Sequence, residues 1–133
     1  MTFTPAAKKT ISDFLKDTQT KPEDYDLILT GDLGQVGSQL LKELLLKEDN
    51  IDISAVHNDC GLMIFNLETQ DVHAGGSGCG CSASVLCSKI LNGFRNGEYK
   101  KIMFVATGAL MSSVSSLQGE SIPGIAHGVI IKA

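Results

Sequence analysis

Tryptophan is absent from this 133-residue chain, and five Phe and two Tyr are its only aromatic side chains. So few rings leave no surface on which successive nucleic-acid bases could stack. Basic residues are also scarce: 11 Lys and Arg stand against 15 Asp and Glu, the net charge is −4, and no Lys/Arg run occurs. An electrostatic grip on phosphate backbones is therefore excluded, and no nucleic-acid partner is expected. No apolar stretch reaches the roughly 18 residues of a membrane span. The start, Met1-Thr2-Phe3-Thr4-Pro5, lacks the basic-then-apolar order of a signal peptide. The expectation is a soluble intracellular protein.

What the chain does contain is glycine, 14 in all, with four of them in Val72-His73-Ala74-Gly75-Gly76-Ser77-Gly78-Cys79-Gly80-Cys81-Ser82. Glycines cluster where a backbone bends sharply or approaches something closely. An apolar run follows at once, so the turn opens onto an expected helix and its N–H groups can face a small anion such as a carboxylate. Neither a phosphate-loop lysine nor a dinucleotide fingerprint is present, because the spacing and the preceding apolar strand are missing.

A hydrophobic fraction of 43% suffices for one core, and the length suits one domain over residues 1–133. Residues 5–17 read as a helix with Thr4 as its cap and Ala7, Ile11, Phe14 and Leu15 on one face. Residues 25–30 are a buried strand ended by Gly31-Asp32-Leu33-Gly34, and 35–48 a helix with Val36, Leu40, Leu41, Leu44 and Leu45 as its apolar stripe. Residues 49–71 are the least regular part, and Leu62-Met63-Ile64-Phe65 within them reads as a strand or a lid. A helix is expected over 82–96 with Val85, Leu86, Ile90, Leu91 and Phe94 inward. A strand follows over 101–107 ending at Gly108, then a serine-rich loop over 111–124 and a closing strand over 127–132. Strands alternating with helices predict an α/β fold with some parallel pairing.

In such sheets, sites gather beyond the carboxyl ends of strands. Three places qualify: Gly31-Asp32-Leu33-Gly34, Thr107-Gly108-Ala109, and the 73–82 turn, and they are expected to converge on one cavity. His73 can carry a proton or contact an anion, or hold the loop by a hydrogen bond. Cys79 and Cys81 can be nucleophiles at a helix start, or small residues where nothing larger fits; the second reading is preferred. Cys87 reads as core, Cys60 is ambiguous, and Asp32 reads first as a cap of the following helix and second as a ligand contact. Glu120 and His127 read as surface. Cys79-Gly80-Cys81 is too tight for a zinc hairpin and no second pair completes one, so no metal and no cofactor is expected.

Four segments in order resemble the stage V sporulation protein AD family. They are 25–34, His57-Asn58-Asp59-Cys60-Gly61, 71–83, and Gln118-Gly119-Glu120-Ser121-Ile122-Pro123-Gly124-Ile125-Ala126-His127. The resemblance implies a thiolase-like fold of two similar halves, of which this chain is the C-terminal half: a mixed sheet with flanking helices. It implies a missing N-terminal half or a homodimer partner, because the half alone exposes a packing face. Thiolases carry their nucleophilic cysteine in the absent half, and His or Asn where Gly31 and Cys79 stand here, so the resemblance implies no catalysis. It implies instead binding of dipicolinic acid and work with the other proteins of the spore dipicolinate uptake system, in the cell or peripheral at the spore inner membrane. The ligand contacts so expected are His73, Gly75, Gly76, Ser77, Gly78, Cys79, Cys81, Gly31 and Asp32. An acyl-CoA-handling half, or a structural fragment without ligand, is the alternative.

Overall fold

A computed structural model describes residues 3–109 and 112–133; Met1, Thr2, Leu110 and Met111, the last being the first residue of the expected loop, lie outside the described residues. A parallel core of β1 (Leu27–Thr30), β2 (His57–Asp59) and β3 (Lys101–Ala109) is closed by β4 (Gly124–Lys132), antiparallel to β3, in the order β2-β1-β3-β4. The mixed α/β sheet with flanking helices is as the sequence predicts.

α1 (Phe3–Asp17) and α2 (Gly34–Asp49) cover one face of the sheet. Ala7, Ile11 and Leu15 of α1 and Leu41 and Leu45 of α2 meet Ile28, Met103 and Val105 in one cluster. The stripes arise from the 3.6-residue period, and Lys8 pins the helices together through Glu48 at 2.6 Å and Asp49 at 3.1 Å. Two details differ from expectation. Thr4 lies within α1 and is buried rather than capping it, and Val36 is 55% exposed, because the buried stripe of α2 begins with Gly34, Gly37 and Ser38 instead.

The opposite face is built from short pieces: α3 (Cys60–Met63), α4 (Cys81–Val85), a π turn (Leu86–Ile90) and α5 (Leu91–Arg95). They pack Cys60, Cys81, Val85 and Ile90 on Leu27, Leu29 and Ile102. The segment at 62–65 is therefore neither strand nor open lid: its first half belongs to the single turn of α3, which starts where Asp59 accepts the Gly61 N–H at 3.0 Å. The expected helix over 82–96 is present as the continuous run 81–95, but its inward stripe is not the expected one. In the π turn the Leu91 N–H reaches back five residues to the Leu86 carbonyl, so Ile90 follows Val85 on the buried face and Leu91 turns outward, 46% exposed. The same extra residue turns Cys87 to solvent, which corrects its assignment to the core.

β3 runs through Gly108 to Ala109, because Gly124 and Ile125 of β4 pair with those residues, and β4 accordingly begins at Gly124, before the expected 127. The serine-rich segment contains a turn of helix, α6 (Ser113–Leu117), capped by the Ser112 hydroxyl at the Ser115 N–H. Among the described residues no helix is long and apolar enough to cross a membrane.

Candidate functional site

Asp59 organises the carboxyl end of the sheet. It is fully buried at the end of β2, and both of its oxygens are occupied. Oδ1 accepts the Thr30 hydroxyl at 2.5 Å and the Leu33 N–H at 2.9 Å; Oδ2 accepts the Gly34 and Gly61 N–H groups at 3.0 Å. The N-terminus of α2 has no side-chain cap of its own, and this carboxylate, 25 residues along the chain from Gly34, supplies one. The next donor, the Gln35 N–H, goes to the Ala74 carbonyl at 2.8 Å.

Thr30 has one proton and gives it to Asp59, so its oxygen accepts from His57 Nε2 at 3.0 Å, which fixes the neutral imidazole with its proton on that nitrogen. Burial, with Lys42 as a minor cause, lowers the His57 pKa to about 4. Burial raises Asp59 above the usual carboxylate value, against the four donors that favour its ionised form.

Asp32 corrects the expected local cap, since Asp59 holds that place. Asp32 instead spans the site: Oδ1 accepts the Thr107 hydroxyl at 3.0 Å, and Oδ2 accepts the Ser77 hydroxyl and the Gly78 N–H, each at 3.2 Å. The end of β1, the end of β3 and the glycine turn are thus brought together. The approach is close enough to require glycine at several points. A Cβ on Gly31 would lie 2.8 Å from Ser82 Oγ, and one on Gly75 2.5 Å from the Gly61 carbonyl oxygen. Gly76 donates to that same carbonyl at 2.7 Å, and a Cβ there would meet Ile64 at 2.5 Å. Gly34 (φ 72°), Gly75 (φ 120°) and Gly78 (φ 113°) occupy backbone conformations that other residues rarely adopt.

The rest of the turn is open. Ser77, Gly78, Cys79 and Gly80 are exposed, and a Cβ on Gly78 or Gly80 would meet nothing within 4 Å. Among the described residues no protein acceptor takes the N–H of Ser77, Cys79 or Gly80, whereas the N–H of Cys81 goes to the Gly78 carbonyl at 3.1 Å. His73 stands apart: its side chain is 89% exposed and its nearest charged neighbour is Asp71, at 3.8 Å.

The two thiols near Asp32 are buried. Cys81 points at the Gly31 carbonyl from 3.9 Å, and burial followed by the charges of Asp32 and Asp59 raises its pKa. Burial, then the Asp59 charge, pushes Cys60 up to about 12. Neither is poised as a thiolate at neutral pH. Cys79 is exposed, and among the described residues no base is hydrogen-bonded to it. No group of three His, Cys, Asp or Glu among the described residues could hold a metal ion.

The sequence reading found Gly31, Asp32, Thr107 and the turn but missed the hub formed by Asp59, Thr30 and His57. The available signal was an acidic residue closing the short run Val56-His57-Asn58-Asp59-Cys60-Gly61, where a buried carboxylate demands donors from elsewhere.

A family model described as stage V sporulation protein AD matches residues 1–132. The stage V sporulation protein AD of Bacillus subtilis (strain 168) is 49% identical over 128 residues, which cover 96% of this chain. The chain spans 37% of the length of that relative.

Proposed function

Given that the chain belongs to the stage V sporulation protein AD family, we propose that it forms the C-terminal, non-catalytic half of a thiolase-like sporulation protein. In this reading it binds dipicolinic acid and supports uptake of calcium dipicolinate into the developing spore. The observation that carries the reading is the glycine turn, drawn onto Asp32 so that Ser77, Cys79 and Gly80 stand exposed with N–H groups that no acceptor among the described residues takes. Such donors, at the start of the helical run 81–95, suit the carboxylates of a small aromatic dianion. The Asp32 carboxylate repels a dianion, so the ligand is expected on the Cys79–Gly80 side of the turn rather than over Ser77.

Absence of catalysis is supported by the thiols. Cys60 and Cys81 are held protonated by burial, and among the described residues Cys79 has no hydrogen-bonded base of the kind that activates a nucleophile. A partner surface is supported by Val36 and Leu46 on α2, which are 55% and 52% exposed. We assign these positions to contact with the other half of the family architecture or with a second copy.

Isothermal calorimetry with dipicolinate, on the chain completed by the rest of its family architecture, tests the reading. Saturable binding is expected, with isophthalate as the control lacking the ring nitrogen. No heat from folded, complete protein would overturn it, and an acyl adduct on Cys79 or Cys81 after exposure to acyl-CoA would replace it with acyl transfer.

A further inference from the structure

β4 is the edge strand at one side of the sheet, nine residues long, and its sequence Gly124-Ile125-Ala126-His127-Gly128-Val129-Ile130-Ile131-Lys132 has no proline and no charge before its last residue. Edge strands of soluble proteins are ordinarily blunted by charges, prolines or bulges. This one carries none of these, and α1 reaches it by the Thr10 hydroxyl at the Ala126 carbonyl; Val129 on its side away from α1 is 53% exposed.

The direction of its free groups can be worked out. The Ala133 N–H donates to the Lys100 carbonyl at 2.9 Å, and the register places Lys101 opposite Lys132. Hydrogen-bonded pairs alternate along an antiparallel ladder, so Ile125, His127, Val129 and Ile131 bond to β3 while Ala126, Gly128 and Ile130 turn their N–H and C=O groups outward. The Ala126 carbonyl shows this directly, since it accepts the Thr10 hydroxyl of α1 at 2.8 Å.

α1 lies along this edge and makes it one wall of a groove. Phe14 sits where a Cβ on Gly128 would come within 2.7 Å, and the cavity between Asp13, Asp17, Thr18 and Ala126–Gly128 is about 370 Å³. A second cavity of about 500 Å³ continues it past Thr10 and Lys9 to Gly124. An edge strand beside a helix is a geometry that accepts an added strand.

Charge decides between the occupants. Lys9 pairs with Asp13 at 2.7 Å, and Asp17 has no ion-pair partner among the described residues, which leaves the groove with one unpaired carboxylate. A second copy would present the same groove, whose one lysine, Lys9, is already paired with Asp13, and so brings no free cation from that groove to Asp17. We propose that the groove between α1 and the open edge of β4 takes an extended basic segment of a partner protein, added as a further strand with a Lys or Arg at Asp17.

The test measures binding of a fluorescent peptide of alternating Val and Lys to the full chain, against a peptide of alternating Val and Glu. The basic peptide is expected to bind saturably, with amide shifts at 126–130, and the acidic one about tenfold more weakly or not at all. Asp17→Lys, a surface change, should weaken the basic peptide by about tenfold. Ala126→Pro should abolish binding by removing an outward N–H without touching the β3 ladder. Equal binding of the two peptides, no binding, insensitivity to Asp17→Lys, or self-association that the basic peptide cannot compete away would each overturn the proposal.

Discussion

The two faces of the sheet are built by different means. On the α1–α2 face, long amphipathic helices lay regular stripes on Ile28, Met103 and Val105, and side-chain volume does the packing. On the other face, a one-turn helix, a glycine turn and a π-interrupted helix meet the sheet through two buried thiols and direct backbone approach. The first construction tolerates smooth variation of surface and loses stability through cavities. The second places backbone groups within a few tenths of an ångström and fails by collision or by loss of one polar hub. A binding site needs the second kind, because exposed N–H groups are useful only where their spacing is held.

The largest way to break this contrast is Asp59→Ala, which strands the donors of Thr30, Leu33, Gly34 and Gly61. A loss of about 4 kcal/mol in chemical denaturation is expected, together with loss of ordered structure at the glycine turn; a loss below about 1 kcal/mol would show that α2 caps itself. Leu41→Ala on the helical face should cost about 3 kcal/mol through its cavity while leaving the amide resonances of 75–82 in place. The two variants together ask whether the faces fail independently.

A smaller effect comes from acid. The folded pKa of His57 lies below its unfolded value, so the unfolded chain binds the extra proton first, and stability that is full above about pH 6.5 declines as the pH falls toward about 4. The expected loss by about pH 5 is about 2 kcal/mol, and His57→Gln, which keeps a donor for Thr30, should flatten that limb of the stability profile. The smallest effect sharpens the distinction instead of breaking it. Gly80→Ala adds a methyl group in open space and should change stability by less than about 0.5 kcal/mol. Any change it makes in the proposed dipicolinate binding then reports the glycine turn and not the fold.

The helical face was legible in the sequence because periodicity is local: Ala7, Ile11 and Leu15, or Leu41 and Leu45, announce a buried stripe by spacing alone. The strands β1 and β3 were legible for the same reason, as short apolar runs ending in glycine. The site end was legible in its glycines and in Asp32 and Thr107 at the strand ends, but not in its hub. That Asp59 caps α2 in place of Asp32 depends on β2 lying parallel to β1, with Thr30 beside Asp59 in the register, and nothing within 20 residues of either states it. The π turn was hidden in another way. Val85 and Ile90 look like neighbouring members of an α stripe that also admits Leu86 and Leu91, and only the seating of Ile90 against the sheet selects the wider turn.

The cap that α2 borrows from β2 also sets how this end of the molecule breathes. The amides of Leu33, Gly34 and Gly61 share one carboxylate, so none can open to solvent exchange without disturbing the others. The start of a sixteen-residue helix, the last residue of a strand and the first turn of the next helix therefore behave as one unit of local unfolding, and the glycine turn hydrogen-bonded to Gly61 and Gln35 is released only when that unit lets go.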